Sequence, residues 1–177
     1  ITGTGDLIPH VPEYAARLAE HWSGTWRPDV VHGHFWLGGL VAASAVRATD
    51  IPVVQTFHSL ATSQQRRLGA QYDGPRQRIT LERALTRAVD LAVAQCTDEV
   101  DELTRMGLQR ADVVVVPTAV DVEEFHPDGE SEPRDGRPRI LSVSSLAPGH
   151  GQDDLIRAMR LIGDAELVIA GGPAADG

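Results

Sequence analysis

The stretch Asp29-Val30-Val31-His32-Gly33-His34-Phe35-Trp36-Leu37-Gly38-Gly39 decides the fold. It leaves a turn at Pro28 as a short strand over 29–34, and Gly38 opens a small-residue helix that runs to Ala48. A second strand over 51–57 follows, entered through Pro52. Both strands are apolar on successive residues rather than alternate ones, the pattern of parallel strands covered on both faces. The same alternation of helix and strand extends outward. Upstream, Val11, Tyr14, Ala15, Leu18 and Trp22 recur at helical spacing, with Pro12 tolerable in the first turn. Downstream the spacing predicts a helix over 76–88 with Ile79, Glu82 and Arg83 at its middle, then a strand over 91–95. A helix with Thr97 as N-cap and Gly107 as its closing residue comes next, then a β-branched strand over 112–116 stopped by Pro117. Between 58 and 75 the composition turns polar and no apolar period appears, so a long loop is expected there.

Residues 128–138 contain Gly129, Pro133, Gly136 and Pro138 among mixed charges, the best linker in the chain. A new unit starts at Arg139: strand 140–143, loop 144–151, helix 152–162 and strand 166–170. That is one βαβ unit. The organisation expected is therefore a first Rossmann-like domain over 1–126, a linker over 127–138 and the start of a second such domain over 139–177. Ile1 rather than Met at one end, and Gly171-Gly172-Pro173 just past a strand at the other, are expected of a partial chain.

Composition narrows the function. The 177 residues carry 25 acidic and 16 basic side chains, a formal net charge of −9, which argues against a general nucleic-acid or anionic-membrane binder. All the basic residues are arginine, so neither a Schiff-base lysine nor a phosphate-loop lysine is present. One cysteine excludes an internal disulfide framework and points to a reducing, cytoplasmic compartment, with peripheral membrane association left open. No apolar run approaches the roughly 20 residues of a membrane span.

In an open parallel sheet, ligands bind beyond the carboxyl ends of the strands. His32, His34 and His58 stand at two such ends, and His32 and His34 share a face if both lie in the strand. One reading is a metal site built from the three; the other is a core histidine beside a cleft histidine, with His58 free to meet a substrate hydroxyl or phosphate. Cys96, after a buried strand, reads as a small buried hydrophobe, with a nucleophile as the lesser alternative. Arg66, Arg67, Arg76 and Arg78 read as a solvated basic face, with an anion clamp as the lesser alternative. Gly151 opens a helix after a strand, where backbone N–H groups can hold a diphosphate, but Asp153 and Asp154 in its first turn compete with an anion.

Several of these segments together resemble the family-four retaining glycosyltransferases of the GT-B fold. They are Asp29 to Gly39, Pro52-Val53-Val54-Gln55-Thr56-Phe57-His58-Ser59-Leu60, Val114-Val115-Val116-Pro117-Thr118-Ala119-Val120-Asp121 through Phe125-His126-Pro127, and Leu167-Val168-Ile169-Ala170-Gly171-Gly172-Pro173. The likeness covers nearly the whole chain in order. Within the family it is most similar to the group containing the inositol-phosphate (mycothiol-type) glycosyltransferase and sucrose-phosphate synthase. The resemblance implies two Rossmann-like domains, the first lacking its start and the second truncated. It implies transfer of a sugar from a nucleotide-sugar donor to a small-molecule or glycan acceptor with retained configuration, and no metal or other cofactor. It assigns His58 to catalysis, Phe35 and Ser59 to the acceptor, and Ser145, His150, Gly151, Gly171 and Gly172 to the donor. It leaves the oligomeric state open.

The departures bear on activity. The family loop Gly-Arg-Leu-x-x-x-Lys-Gly, whose cations neutralise the leaving diphosphate, here reads Ser144-Ser145-Leu146-Ala147-Pro148-Gly149-His150-Gly151. Ala119 stands where the family has Gly. The family's carboxylate pair would lie past Gly177 and its first glycine loop before Ile1, so the chain alone is expected not to turn over. Two alternatives follow: a non-catalytic GT-B descendant that binds sugars or regulates a partner, and a metal hydrolase using His32, His34 and His58.

Overall fold

A computed structural model describes residues 4–129, 132–133, 136–147 and 149–173. The linker positions 130–131 and 134–135, and Pro148 of the expected donor loop, lie outside the described residues. The chain divides into two compact units, Ile1–Ala119 and Val120–Gly177.

The first unit is a four-stranded sheet. Its strands are β1 (Val31–His34), β2 (Val53–Thr56), β3 (Leu91–Ala94) and β4 (Val113–Val115), paired in the order β1-β2-β3-β4. Every pair is parallel; Val31 faces Val53, His34 faces Thr56, Val54 faces Leu91 and Ala94 faces Val115. Parallel neighbours need crossovers, and helices supply them. A 3₁₀ turn (Thr4–His10) leads into α1 (Val11–Trp22), which places Pro12 in its first turn and buries Ala15. The β1–β2 crossover is α2 (Phe35–Ala45), the β2–β3 crossover contains α3 (Ala61–Leu68) and α4 (Arg78–Leu85), and the β3–β4 crossover is α5 (Thr97–Met106).

Local chemistry explains these elements. α2 buries Trp36, Gly39, Ala42 and Ala45, a small-residue face that lets the helix lie close to the sheet. A Cβ at Gly39 would collide with the side chains of Gln55 and Leu85. α5 buries Val100, Leu103 and Met106 at helical spacing and closes on Gly107 at φ 111°, where glycine carries no Cβ penalty. One core cluster joins Phe57, Leu60, Leu85, Ala92, Ala94, Val100, Leu103, Met106, Leu108 and Val113; a second joins Ala42, Val46, Ile51 and Val53.

Three expectations are corrected. The polar stretch after His58 is not a loop throughout: α3 occupies Ala61–Leu68 and a 3₁₀ turn follows at Gly69–Gln71. Its single fully buried contact, Ala61, and polar anchors elsewhere on its surface replace the apolar stripe that periodicity looks for. α2 starts at Phe35, directly after β1, rather than at Gly38. The α5 N-cap is Cys96, and Thr97 is already helical.

The second unit holds β5 (Arg139–Val143), α6 (Gln152–Ala158) and β6 (Glu166–Ala170). β5 and β6 pair in parallel, Arg139 facing Glu166 and Val143 facing Ala170. An ion pair from Arg139 Nε to Glu166 Oε2 at 2.6 Å pins the start of that register. Before β5, Phe125 N–H bonds the Asp121 carbonyl, and Asp121 Oδ1 accepts from the Glu123 N–H at 2.9 Å. Among the described residues no helix is long and apolar enough to cross a membrane.

Candidate functional site

The carboxyl ends of β1 and β2 bring together the residues singled out in the sequence. His34 faces Thr56 in the sheet register, so the chain leaves both strands at the same level. His32 Nε2 lies 2.8 Å from Thr56 Oγ1, and His34 Nδ1 lies 2.9 Å from His58 Nε2. The ring centroids of His32 and His34 are 4.3 Å apart, and those of His34 and His58, stacked, 5.2 Å. Phe35 packs on His58 with centroids 4.6 Å apart. Burial, and then the neighbouring His34 and His58, hold the His32 pKa below its ordinary value of 6.5.

The three histidines therefore converge, as their spacing predicts, but as stacked and hydrogen-bonded rings. Among the described residues no group of three His, Cys, Asp or Glu is arranged to hold a metal ion.

The backbone at this edge is unusual. Phe35 and His58 are the non-glycine residues with positive φ among those described, at 56° and 60°. A bulky residue in that region stores strain, which persists where the surroundings impose it and clusters at functional sites. Both side chains are exposed, Phe35 by 57%. The sequence alone carries no signal for this feature.

Ser59 sits one residue on, anchored from below. Arg78 donates to the Ser59 carbonyl and hydroxyl, each at 3.0 Å, and to Gln64 Oε1 at 3.0 Å. Its Nε meets Glu82 Oε1 at 2.6 Å, and its guanidinium lies 5.8 Å from the Trp36 ring centroid. Glu82 in turn accepts the Ala61 N–H at 2.9 Å. Burial pushes the Glu82 carboxyl upward, against the pull of that N–H and of Arg78. Arg78 is thus buried and is no part of a solvated basic face. Its spacing of four from Glu82 was the legible signal.

A cleft of about 880 Å³ opens beside the His58-Ser59 turn, lined also by Gln64, Arg66, Arg67, Gln95, Cys96 and Glu99. Arg66 is held by Glu102, which Arg105 also reaches at 3.0 Å; Arg66 first, and then Arg105 and Thr62, bring the Glu102 carboxyl down to about 2 against its burial. Cys96 stands past the end of β3 as expected, but as the α5 N-cap it is exposed, which corrects its reading as a buried hydrophobe.

In the second unit the loop between β5 and α6 closes on itself. His150 Nδ1 lies 3.1 Å from Ser145 Oγ and 3.0 Å from the Ser145 carbonyl. Gln152 Nε2 donates to Ser144 Oγ at 2.6 Å and to the Ser145 carbonyl at 2.9 Å. Gly149 and Gly151 take φ of 86° and 85°. Gly171 packs so tightly on the Ser144 carbonyl that a Cβ there would collide with it, and the Gly172 carbonyl accepts the Leu146 N–H at 2.8 Å. Ser145, His150, Gly151, Gly171 and Gly172 thus form one cluster, with Asp153 and Asp154 in the first turn of α6.

The sequence family described as Glycosyl transferase 4-like domain matches residues 3–119. The chain belongs to that family. The D-inositol 3-phosphate glycosyltransferase of Mycolicibacterium vanbaalenii is 32% identical to this glycosyl transferase 4-like chain over 159 residues, covering 84% of the chain and 35% of the relative. The D-inositol 3-phosphate glycosyltransferase 1 of Catenulispora acidiphila is 31% identical over 202 residues, covering 97% and 48%. The chain spans between a third and a half of the length of these curated relatives. Sucrose-phosphate synthase from Thermosynechococcus elongatus superposes with a TM-score of 0.80 at 20% identity, covering 100% of the chain and 46% of that structure. HepE from Anabaena, in complex with UDP and glucose, gives 0.66 at 17%, covering 99% and 46%. These likenesses establish a partial GT-B fold for the glycosyl transferase 4-like chain.

Proposed function

We propose that the chain is the acceptor-side domain and the beginning of the donor-side domain of a retaining glycosyltransferase that moves a sugar from a nucleotide sugar to a hydroxylated acceptor. The observation that carries this reading is the paired turn at Phe35 and His58, two strained residues in ring contact at the carboxyl edge of the sheet. His58, exposed and bonded through Nε2 to His34, is the catalytic residue beside the transferred sugar. Phe35 offers its face to the acceptor ring, and Ser59, next to His58, is the second acceptor contact. Ser145, His150, Gly151, Gly171 and Gly172 take the donor. The UDP-bound neighbours support a nucleotide-sugar substrate, and the names of the relatives make a cyclitol phosphate the first acceptor to try. The single cysteine fits a reducing cytoplasm.

The test is to incubate the protein, expressed from its full reading frame, with UDP- and GDP-sugars and D-inositol 3-phosphate. Nucleoside diphosphate release is followed, and the product's anomeric configuration is read by NMR. Sugar transfer with the donor's configuration supports the reading; an inverted product overturns the retaining mechanism, and no transfer with any pair overturns the transferase.

A second reading is a GT-B protein that binds sugars without transferring them. The observation favouring it is the loop at 144–151, where Ser145 and His150 bond each other and no fixed cation stands ready for a leaving diphosphate.

A further inference from the structure

Gln55 is out of place by the ordinary logic of a strand. It lies in β2 between Val54 and Thr56, is 0% exposed, and is among the largest fully buried side chains. Its amide uses both hydrogens on backbone: Nε2 donates to the Phe35 carbonyl at 3.1 Å and to the Thr56 carbonyl at 3.0 Å. Two carbonyl acceptors fix which way the amide points, since the reverse orientation would set oxygen against oxygen. The remaining atom, Oε1, is buried with no hydrogen-bond partner. It is seated where two glycines omit a side chain: a Cβ at Gly33 or at Gly39 would collide with it, and that of Gly33 would also come within 2.7 Å of the Gly39 Cα.

An orphaned acceptor in a strand that would accept an apolar residue is a stability defect, and native proteins keep such a defect where another requirement outweighs it. The two carbonyls name the requirement. One belongs to Phe35 itself; the other lies two residues before His58. These are the two non-glycine residues with positive φ among those described. A single amide therefore ties the exit of β1 to the exit of β2 at the points where each chain turns into its strained residue. With both exits tied, the Phe35 and His58 rings meet at 4.6 Å and His34 Nδ1 reaches His58 Nε2 at 2.9 Å.

We propose that Gln55 is a positioning residue: its buried amide clamps the two strand exits and so sets the Phe35–His58 ring contact and the His34–His58 hydrogen bond. Gln55 acts through these residues and itself touches no substrate. Its consequence for catalysis rests on the transferase reading above; its consequence for ring geometry does not.

The test uses Gln55→Leu, of similar size and without the donors, and Gln55→Glu, which keeps the shape but has no N–H to give. Both are compared with the wild-type chain by circular dichroism, thermal unfolding and NMR of the histidine and phenylalanine rings. Gln55→Leu removes the orphaned oxygen but also takes the donor from the Phe35 and Thr56 carbonyls, so it is expected to fold with a midpoint below that of the wild type. It should lose the Phe35–His58 nuclear Overhauser contact, and the His34 and His58 ring nitrogens should shift toward exchange-averaged tautomers. In the transfer assay kcat should fall at least 10-fold with KM changed less than threefold, which a purely structural role would not produce. If Gln55→Leu does not fold, Gln55→Glu decides: above the pH at which its carboxyl ionises it should lose the same ring contact, and below it recover part of it by donating one bond. Retention of the wild-type ring contact and tautomers in the folded variant overturns the proposal. Loss of them in a protein that transfers no sugar supports the clamp and removes only the function.

Discussion

Replacing Arg78 with methionine tests the anchor beneath the His58-Ser59 turn. The wild-type guanidinium makes four hydrogen bonds, to Glu82, Gln64, the Ser59 carbonyl and the Ser59 hydroxyl. Its side chain is 10% exposed and that of Glu82 0%. Removing it leaves the Glu82 carboxylate in the interior, still accepting the Ala61 N–H but without its cation. Breaking a buried pair from one side costs about 3–5 kcal/mol. With a urea dependence of about 2 kcal/mol per molar for a domain of this size, the midpoint should fall by roughly 2 M. Trp22, Trp26 and Trp36 all lie in the first unit, so tryptophan fluorescence follows that unit's unfolding.

The pH dependence gives the sign. Burial already raises the Glu82 carboxyl, and losing Arg78 raises it further. A raised folded pKa means that the folded state keeps a proton that the unfolded state releases from about pH 4.5 upward. The deficit of Arg78→Met should therefore be small below pH 4.5, grow as pH rises through the folded pKa, and be full above it. Adding Glu82→Gln should restore most of the loss, since the neutral amide still accepts from Ala61. A variant as stable as the wild type at pH 7, or a loss that is flat in pH and untouched by Glu82→Gln, would refute the reasoning.

Three further outcomes are expected. Glu102, held at about 2 by Arg66 and its neighbours, contributes stability that is present above pH 4.5 and lost as pH falls toward 2. Linkage bounds this at about 3 kcal/mol, and less is expected because Arg66 and Arg105 are open to water; acid titration of unfolding in Glu102→Gln should lack that limb. The His32 ring should titrate below 6.5 by NMR, and His34→Gln should move it part of the way back, since burial, the larger cause, remains. Ser145→Arg with His150→Lys should raise the transfer rate of the full-length protein by about 10² or more if the loop lacks a cation that the reaction needs. Strong wild-type activity that is unchanged by the pair would show that the closed Ser145–His150 loop serves as it stands.

Much of this was legible because parallel strands announce themselves. The apolar runs at 29–34, 51–57, 91–95 and 112–116 each contain an observed strand, and the glycine at 107 closes α5 at positive φ. The order of elements sufficed to place His32, His34 and His58 at one sheet edge. α3 was not legible, because its buried contacts are few and its stabilising partners, Glu82, Arg78 and Glu102, come from elsewhere in the sequence. Nor was the left-handed backbone of Phe35 and His58, for neither residue favours it; tertiary ties impose it. Gln55 drew no notice within a strand read as apolar, and its role emerges only when both carbonyls it holds are seen. Cys96 was placed correctly after β3 but read as buried; as the α5 N-cap it is exposed.

The most direct measurement of the central claim is the rate of sugar transfer by the full-length protein with His58 intact and with His58→Ala, each checked for an unchanged fold. The account predicts transfer by the wild type and a fall in kcat of about 10²-fold or more on losing the imidazole. Equal rates, with the ring cluster demonstrably dismantled in the variant, would contradict it.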